Sequence, residues 1–424
     1  MLSQLAKAIG HTQARLYPVE SLPDSTVRNT LSMSFATHTW PDKSLTFISS
    51  WVLPLGYFCL LTGLAWLDER SQYHKLFYAL LAAPALIAFL IHPKQIADLF
   101  KNPVVLAFLA FSSWALISFS WSAAEDSFSS QAKRPLYILM LFMATFIIVK
   151  HSWQRFISVL SLAALTILPI ALYALADFTL NYTDGARLVG SGALDNPLLS
   201  SHLFGIFFIL WLGYAMTAPY NKSLLTLPAL ALLLATLLAT GSRTPLLAIA
   251  FACGWLAINL WNRRALLLAA LCTCAGIALL IIYPELILNR GTSYRFEIWQ
   301  FALEQISIHP WAGHGLGSPL AIPVPELNSV FSEPHSFFLG TLYYTGVIGA
   351  IFWLSMHAFA LWACWKNRAA PYFAVAGALV IYGLGAGLTE GGGILSRPKE
   401  HWFLIWIPLA LVIAVNTQHK LGQR

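Results

Sequence analysis

One histidine stands where a long polar stretch meets an apolar segment, in the sequence SEPHSFF at residues 332–338. An imidazole has an unperturbed pKa of about 6.5, so a neutral His335 can accept a proton from a hydroxyl group. Glu333 is close enough in sequence to fix the tautomer of the ring or to cap the following helix. A metal site needs further ligands, and His309 and His314 lack the i, i+4 spacing of a helical zinc pair. General base and structural residue therefore remain the two interpretations of His335.

Three arginines in connecting segments are candidates for binding an anion. Arg187 lies in YTDGARLVGSGALDNP, Arg243 in the tight connection TGSRTP, and Arg295 in YRFEIWQFALEQIS. A guanidinium binds phosphate oxygens in bidentate fashion and is desolvated more readily than an ammonium. Arg187 and Arg243, held where loops meet helices, would suit a diphosphate at a membrane surface. The competing interpretation is that loop arginines reach lipid headgroups or pair with acids, which we favour for Arg70 and Arg134.

The segments that must position these residues are apolar helices in a membrane. Of the 424 residues, 58% are hydrophobic and only 10% are charged, whereas a soluble domain has about 25% charged residues. A crossing helix needs about twenty apolar residues, and the apolar runs are continuous rather than alternating, so strand patterns are absent. We therefore predict an all-α polytopic membrane protein with about twelve transmembrane helices, at 46–67, 76–92, 104–121, 135–149, 156–176, 198–217, 224–240, 245–261, 266–283, 335–361, 372–388 and 402–416.

The predicted spans divide the chain into three parts. Residues 1–45 form a polar arm without the apolar core and cleavage site of a secretory signal. Residues 46–416 form a single transmembrane catalytic domain, in which 284–334 is a large loop between spans nine and ten. Residues 417–424 are a short tail. The loop contains a breaker-free segment, 294–307, for which we expect a surface helix that points Arg295 toward the region of His335.

The distribution of charge predicts the orientation of the chain. If both termini are cytoplasmic, fifteen of the 25 basic residues and only four of the 18 acidic residues lie on the cytoplasmic side, as the positive-inside rule requires. The large loop and His335 then face outward. The net charge of +7 follows from this topology and gives no reason to propose nucleic-acid binding. The five cysteines, odd in number and without metal-type spacing, are expected to be buried free thiols.

Four segments in order resemble a known family: ARLVGSGALDNPLLSSHLFG, TGSRTPLLA, RFEIWQFALEQISIHPWAGHGLGS and EPHSFFLGTLYYTGVIGA. They look like the O-antigen ligase and polymerase superfamily, and their order and spacing look most like the O-antigen ligases. The resemblance covers about residues 180–350. It implies a fold related to the membrane-embedded GT-C glycosyltransferases, located in the inner membrane of a Gram-negative bacterium.

The resemblance also implies an activity and a set of residue roles. Such ligases transfer a preassembled glycan from undecaprenyl diphosphate to a sugar hydroxyl of lipid A–core, on the periplasmic face, with inversion and without a metal or other cofactor. His335 matches the family histidine that acts as general base, and Arg187 matches an arginine that binds the diphosphate. A second diphosphate arginine is either Arg243 or Arg295. The family usually has asparagine after the histidine, where this chain has Ser336.

Other functions remain open at this point. An O-antigen polymerase or a protein O-oligosaccharyltransferase would use the same donor, and acceptor choice depends on loop shape. The short tail after the last span argues mildly against the larger protein-glycosylating members. A transporter would require paired broken helices and ionisable residues deep in the spans, but the predicted spans are nearly free of charge. Membrane lipids are expected partners, and the polyprenyl chain is expected to lie in a groove between spans that the sequence does not identify.

Overall fold

The structure, a computed structural model, is almost entirely helical in the residues it describes, which are 40–282, 294–324, 329–393 and 395–423. The chain is helical from Trp40, and a short turn at Pro93–Ile96 continues as a 3-10 helix, Ala97–Lys101. Counting adjoining π and 3-10 turns as part of each helix, the longer helices are α1 Lys43–Ala65, α2 Arg70–Ile91, α3 Pro103–Trp121, α4 Phe128–His151, α5 Trp153–Leu180, α6 Pro197–Thr217, α7 Tyr220–Ala239, α8 Arg243–Leu260, α9 Arg263–Ile282, α10 Arg295–Ile308, α11 Phe337–Lys366, α12 Pro371–Gly387 and α13 Glu400–Gly422.

Every predicted span overlaps one of these helices, and the prediction of an all-α polytopic membrane protein is confirmed. Within the described residues, ten helices are long and apolar enough to cross a membrane. Helices α9 and α12 are apolar but are not among the ten, so the total of twelve crossings stays a prediction. Most of the predicted polar arm lies outside the described residues. The region predicted as a tail continues α13 as far as Gly422.

Some helix ends differ from the predicted ones because polar residues extend the helices beyond the apolar run. Helix α4 begins at Phe128, since the Ser127 side chain accepts a hydrogen bond from the Ser130 amide at 3.3 Å and caps the helix there. Such a cap satisfies one of the amides that a helix leaves unbonded at its start. Pro135 is accommodated inside α4.

Two helices form the centre of the bundle. In α13, 94% of the most apolar stretch is buried, and in α6 the share is 78%, compared with 28% in α5 and in α7. Small residues allow helices to approach closely in membranes, and α12 uses them on two sides. A Cβ added to Gly377 would lie 2.6 Å from the Trp255 ring of α8, and one added to Gly383 would meet the Leu404 backbone of α13. Helix α12 is therefore held against both neighbours.

Helix α11 is interrupted one-third of the way along its length. Gly346 has φ 62° and ψ −170°, which breaks the helical hydrogen bonding. The glycine-rich turn that follows α10 supplies the missing partners. His314 donates its amide to the Tyr343 carbonyl at 2.8 Å, and the Val347 amide donates to the Pro310 carbonyl at 2.9 Å. This turn, in the sequence HPWAGHGLGSP, therefore lies in the break of α11.

A small hairpin precedes α11, in a segment where the sequence shows no strand pattern. Strands β1 (Ile322–Val324) and β2 (Ser329–Phe331) pair antiparallel, with Ile322 opposite Phe331. Three-residue strands are too short to show the alternation from which strands are recognised in sequence.

Of the five cysteines, the expectation is correct for three and wrong for one, and the side chain of Cys272 lies outside what the structure describes. Cys59, Cys253 and Cys364 are free and buried, whereas Cys274 is free but exposed, on an outward-facing side of α9.

Candidate functional site

Arg187 joins the loop before α6 to the connection between α7 and α8. Its Nε donates to the Thr240 carbonyl at 2.7 Å, and its Nη2 donates to Ser242 Oγ at 2.9 Å. The next residue, Leu188, donates its amide to the Ala239 carbonyl at 3.0 Å. Arg187 therefore holds the turn that immediately precedes Arg243.

The loop that carries Arg187 is fixed at several points along its length. Ser191 donates its hydroxyl to the Ala65 carbonyl at 2.6 Å, and the Ala193 amide donates to the Leu64 carbonyl at 2.9 Å. Asn196 then caps α6, accepting from the Leu198 amide at 2.8 Å, and Pro197 follows at the first helical position. An asparagine cap followed by proline is a strong helix start. The segment GALDNP thus positions both Arg187 and the start of α6.

Thr389 connects the other two predicted arginines. Arg243 is the first residue of α8, and the neighbouring Thr244 hydroxyl is hydrogen-bonded to the Thr389 hydroxyl at 3.0 Å. The Thr389 carbonyl accepts a hydrogen bond from Nε of Arg295 at 3.1 Å. This bond uses Nε, so the two terminal amino groups of the Arg295 guanidinium take no part in it. The expected surface helix is present as α10, and it directs Arg295 toward the start of α8.

Residues 388–393, LTEGGG, form a segment that we call the glycine loop. It packs directly against the residues before His335. A Cβ added to Gly392 would lie 2.7 Å from Cδ of Pro334 and 3.0 Å from Cβ of Glu333. Because Thr389 is in the same loop, the glycine loop connects His335 to Arg295, and through Thr244 to the start of α8. We call the end of the bundle where α6, α8 and α11 begin the site face.

His335 precedes α11 in an unusual backbone conformation. Its φ is 48°, in the left-handed region, where a residue with a Cβ is strained by about 1–3 kcal/mol. The ring packs edge-on to Phe331 at 5.5 Å, and its Nδ1 is buried without a hydrogen-bond partner among the described residues. Such strain and an unsatisfied buried nitrogen are typical of functional sites rather than of packed cores.

The residue after the histidine has a structural role. Ser336 is the N-cap of α11, and its hydroxyl accepts from the Leu339 amide at 3.5 Å. The idea that Glu333 caps this helix is therefore wrong. Serine and asparagine are both good N-caps, so the difference from the usual family residue leaves the helix start intact.

A buried group of acid and histidines lies behind the glycine loop, and the sequence analysis missed it. Glu390 follows Thr389, and its Oε1 is 3.4 Å from Nε2 of His401. Burial by itself raises the pKa of the Glu390 carboxyl, but the hydrogen bond from His401 and the electrostatic interactions with His202, His401 and His335 lower it to about 2. In the sequence, the feature that could have indicated this buried group is Glu390, a single glutamate between an apolar helix and three glycines.

Arginines of the same face that we assigned to structural roles do form ion pairs. Arg70 bonds to Asp195 at 2.8 Å and to the fully buried Glu400 at 2.7 Å, and Arg134 bonds to Asp126 at 2.6 Å. Arg295, in contrast, donates to an uncharged backbone oxygen in the bond described above. That bond leaves its positive charge less compensated than an ion pair would, which favours the binding of an anion.

An apolar groove opens beside His335. Its volume is about 590 Å³, and it begins near Phe337 and Leu388, which adjoin His335 and Thr389. It continues between α8, α11 and α12 past Gly254 to Ile258. We call it the lateral groove. It is lined mainly by apolar side chains, so it can hold a hydrocarbon chain whose polar end reaches the arginines.

Comparison with known proteins agrees with this architecture. Residues 228–354, which include Arg243, Arg295 and His335, match the family model described as O-antigen ligase. Over 377 residues the chain is 44% identical to the O-antigen ligase of Pseudomonas aeruginosa, and the match spans 88% of this chain and 93% of that protein. The chain belongs to the O-antigen ligase family. The resemblance inferred from the four segments is thus confirmed.

Membership of the O-antigen ligase family makes this protein a multi-pass membrane enzyme of the glycosyltransferase type. The transporter interpretation is therefore set aside. The roles of His335 and the three arginines stay predictions, to which the geometry above adds their proximity on the site face.

Proposed function

We propose that this protein transfers a preassembled glycan from undecaprenyl diphosphate to a sugar hydroxyl of lipid A–core. The observation that carries the proposal is the convergence of Arg187, Arg243 and Arg295 on two short connections, one of which, the glycine loop, also packs against the His335 segment. A diphosphate needs concentrated positive charge, and a hydroxyl acceptor needs a base next to it. Both requirements are met at one end of the bundle.

The arginines act on the leaving group. When the bond between the sugar and the diphosphate breaks, negative charge builds up on the diphosphate oxygens. Fixed guanidinium groups stabilise this charge without reorganising, which is the largest contribution in many enzymes. The terminal amino groups of Arg295 are suited to this contact, because its Nε is held by Thr389. Arg243 begins α8, and the positive end of the helix dipole adds to its charge.

His335 acts on the acceptor. Its ring accepts the proton of the attacking sugar hydroxyl, and the hydroxyl oxygen bonds to the anomeric carbon as the diphosphate leaves from the opposite side. This displacement inverts the configuration at that carbon. A general base in this position contributes about 10²–10⁴ in rate. The strained backbone at His335 supports the proposal, since such strain persists where the surrounding structure imposes it for a task.

The lateral groove suits the polyprenyl tail of the donor. Phe337 and Leu388 form its mouth next to the proposed diphosphate site, and the groove continues along the apolar faces of α8 and α12. A donor held there would have its tail among lipid-facing helices and its diphosphate at the arginines.

We infer further that the site face is periplasmic and that the membrane is the inner membrane of a Gram-negative bacterium. The excess of basic residues in the alternate connections supports this orientation. A green fluorescent protein fused after Gly422 should then fluoresce, and an alkaline phosphatase fused there should be inactive. The reverse pattern would place the C-terminus outside.

The test is glycan transfer by purified protein in detergent, with an undecaprenyl-diphosphate glycan donor and lipid A–core acceptor. We expect His335→Ala to lose about 10²-fold or more of the activity and Arg187→Ala to lose at least about tenfold. His309→Ala, an exposed histidine of the same region, and Arg134→Ala, an ion-paired arginine, are the matched controls and should remain active.

The outcomes separate the competing functions. Full activity of a folded His335→Ala protein would show that the histidine is a structural helix start. An inactive wild type that instead extends the glycan on its lipid carrier, or modifies a protein acceptor, would favour the polymerase or the protein transferase.

A further inference from the structure

Three side chains from separate parts of the chain meet behind the glycine loop. His202 lies one turn into α6, Glu390 lies in the glycine loop, and His401 lies at the start of α13. The relative exposures of the three residues are 0%, 4% and 7%. One ligand atom from each residue can be chosen so that all three lie within 4.8 Å of one another. We call these residues the buried triad.

Most polar atoms of the buried triad have no hydrogen-bond partner in the part of the chain that the structure describes. Both ring nitrogens of His202, Oε2 of Glu390 and Nδ1 of His401 are buried and unsatisfied. Buried polar atoms are normally satisfied by protein, by ordered water or by an ion, because leaving them unpaired is costly. A single ion can bind one ring nitrogen of each histidine and one carboxylate oxygen, so the unpaired nitrogens of His202 and Oε2 of Glu390 leave donor atoms open to a ligand shared by the three residues.

We propose that His202, Glu390 and His401 bind one zinc ion. Two imidazole nitrogens and one carboxylate are a donor set typical of zinc, whereas magnesium and calcium prefer oxygen ligands. The carboxylate supplies one of the two charges that neutralise the ion. With metal–ligand distances of about 2.0–2.1 Å, tetrahedral ligands lie roughly 3.4 Å apart. His401 and Glu390 already have this spacing at 3.4 Å, and His202 supplies the third protein ligand.

The ion has a structural role, and the proposal holds whichever glycan donor and acceptor the enzyme uses. It ties the start of α6 and the start of α13 to the glycine loop, which bonds to Arg295 and packs against Pro334. The three ligands are buried, so the ion does not contact a substrate at the site face. Binding energy of a metal that spans separate elements is folding energy.

In the competing arrangement, no metal ion is bound and the buried triad is held by a proton between His401 and Glu390. In it His401 is a charged imidazole that donates to Glu390, and His202 is a neutral buried ring. This arrangement satisfies one oxygen of Glu390 and neither nitrogen of His202, and it predicts no metal in the protein.

The metal content of the purified full-length protein distinguishes the zinc-bound arrangement from the metal-free one. The protein should carry a tag without histidines and be analysed by inductively coupled plasma mass spectrometry. We expect about one zinc per chain, reduced by about tenfold or more in His202→Ala and in Glu390→Gln. The matched control is His309→Ala, since the exposed His309 lies 4.8 Å from the His314 ring and could collect zinc adventitiously. This variant should retain the full amount.

Two measurements on the wild type keep the proposal testable if the variants fail to fold. Replacing zinc with Co²⁺ should produce the visible absorption of a nitrogen and oxygen site of low coordination number, and 1,10-phenanthroline should lower the melting temperature. The proposal would be overturned if the wild-type protein contained no zinc, did not bind Co²⁺, and showed no higher melting temperature after ZnCl₂ was added. The proposal would also be overturned if His309→Ala lost its zinc while His202→Ala and Glu390→Gln kept theirs. None of these readouts depends on glycan transfer.

Discussion

Two of the donors of Arg187 hold the connection 240–242, and in the proposed function the same guanidinium also binds the diphosphate. A guanidinium can do both because it has five N–H donors in a fixed plane. A lysine has one nitrogen on a flexible stem and cannot reproduce this geometry.

We therefore expect Arg187→Lys to behave like Arg187→Ala, with kcat/KM lowered by about tenfold or more although the charge is kept. Kinetics of transfer at varied donor concentration would measure this. Arg134→Lys is the matched control, since a single ion pair to Asp126 tolerates an ammonium. Retained activity in Arg187→Lys would mean that only charge matters at this position.

Glu390 gives the protein a pH-dependent contribution to stability. Its folded pKa of about 2 lies below the ordinary value of 4.5, so the ionised form stabilises the fold. The contribution is complete above about pH 4.5 and is lost as the pH falls from there toward about 2.

In chelator-treated protein, Glu390→Gln should lower the melting temperature by several degrees at pH 7, because the variant lacks this contribution. The difference in melting temperature between Glu390→Gln and wild type should become smaller as the pH is lowered from about 4.5 toward about 2. Thermal unfolding in detergent between pH 3 and pH 7 measures it, with the exposed Glu304→Gln of α10 as the control. If this difference in melting temperature did not change with pH, ionised Glu390 would not stabilise the fold.

The glycine loop is the element on which the site depends, because it meets α8, α10 and the start of α11 at once. Its backbone lies so close to Glu333 and Pro334 that side chains are excluded at some positions and tolerated at others. Close contact transmits a displacement directly, since packed interiors leave little room to absorb it.

Gly392→Ala should therefore reduce transfer markedly and cost about 1–3 kcal/mol of stability, because the added Cβ would lie 2.7 Å from Pro334. Gly393→Ala is the control in the same loop, where the nearest atom is 3.8 Å away. Transfer rate and thermal stability of the two variants would be compared. Equal behaviour would mean that the loop can move without affecting His335.

At the scale of the whole molecule, the proposed function requires that the lateral groove lead from the lipid to the site face. Gly254 lines the groove, and a Cβ added there meets no atom within 4 Å. A larger side chain at this position would fill the groove without disturbing the packing.

We expect Gly254→Leu to raise the KM for a donor with the full polyprenyl chain by about tenfold, since the buried area of the tail is reduced. A donor with a short isoprenoid should be affected little. Gly422→Leu, where an added side chain also meets no atom, is the matched control at the end of α13. Equal effects on both donors would exclude the groove as the tail site.

The sequence by itself determined the membrane class, the positions of the spans, the surface helix α10 and the residues expected to do chemistry. These follow from local properties, since apolar length and helical spacing act within one segment. Helix ends were less certain, because caps such as Ser127 extend helices into polar sequence.

Only the tertiary structure decided which helix ends meet. Thr389 joins Thr244 to Arg295, and Glu390 lies beside His202, although Thr244, Arg295 and His202 are all far from residues 389 and 390 in the chain. Their meeting results from the close packing of α12, through its glycines, against α8 and α13. No single segment contains that information, because the position of each helix depends on the shapes of its neighbours. For the same reason, the hairpin and the break at Gly346 became visible only when the loop after α10 was seen in contact with α11.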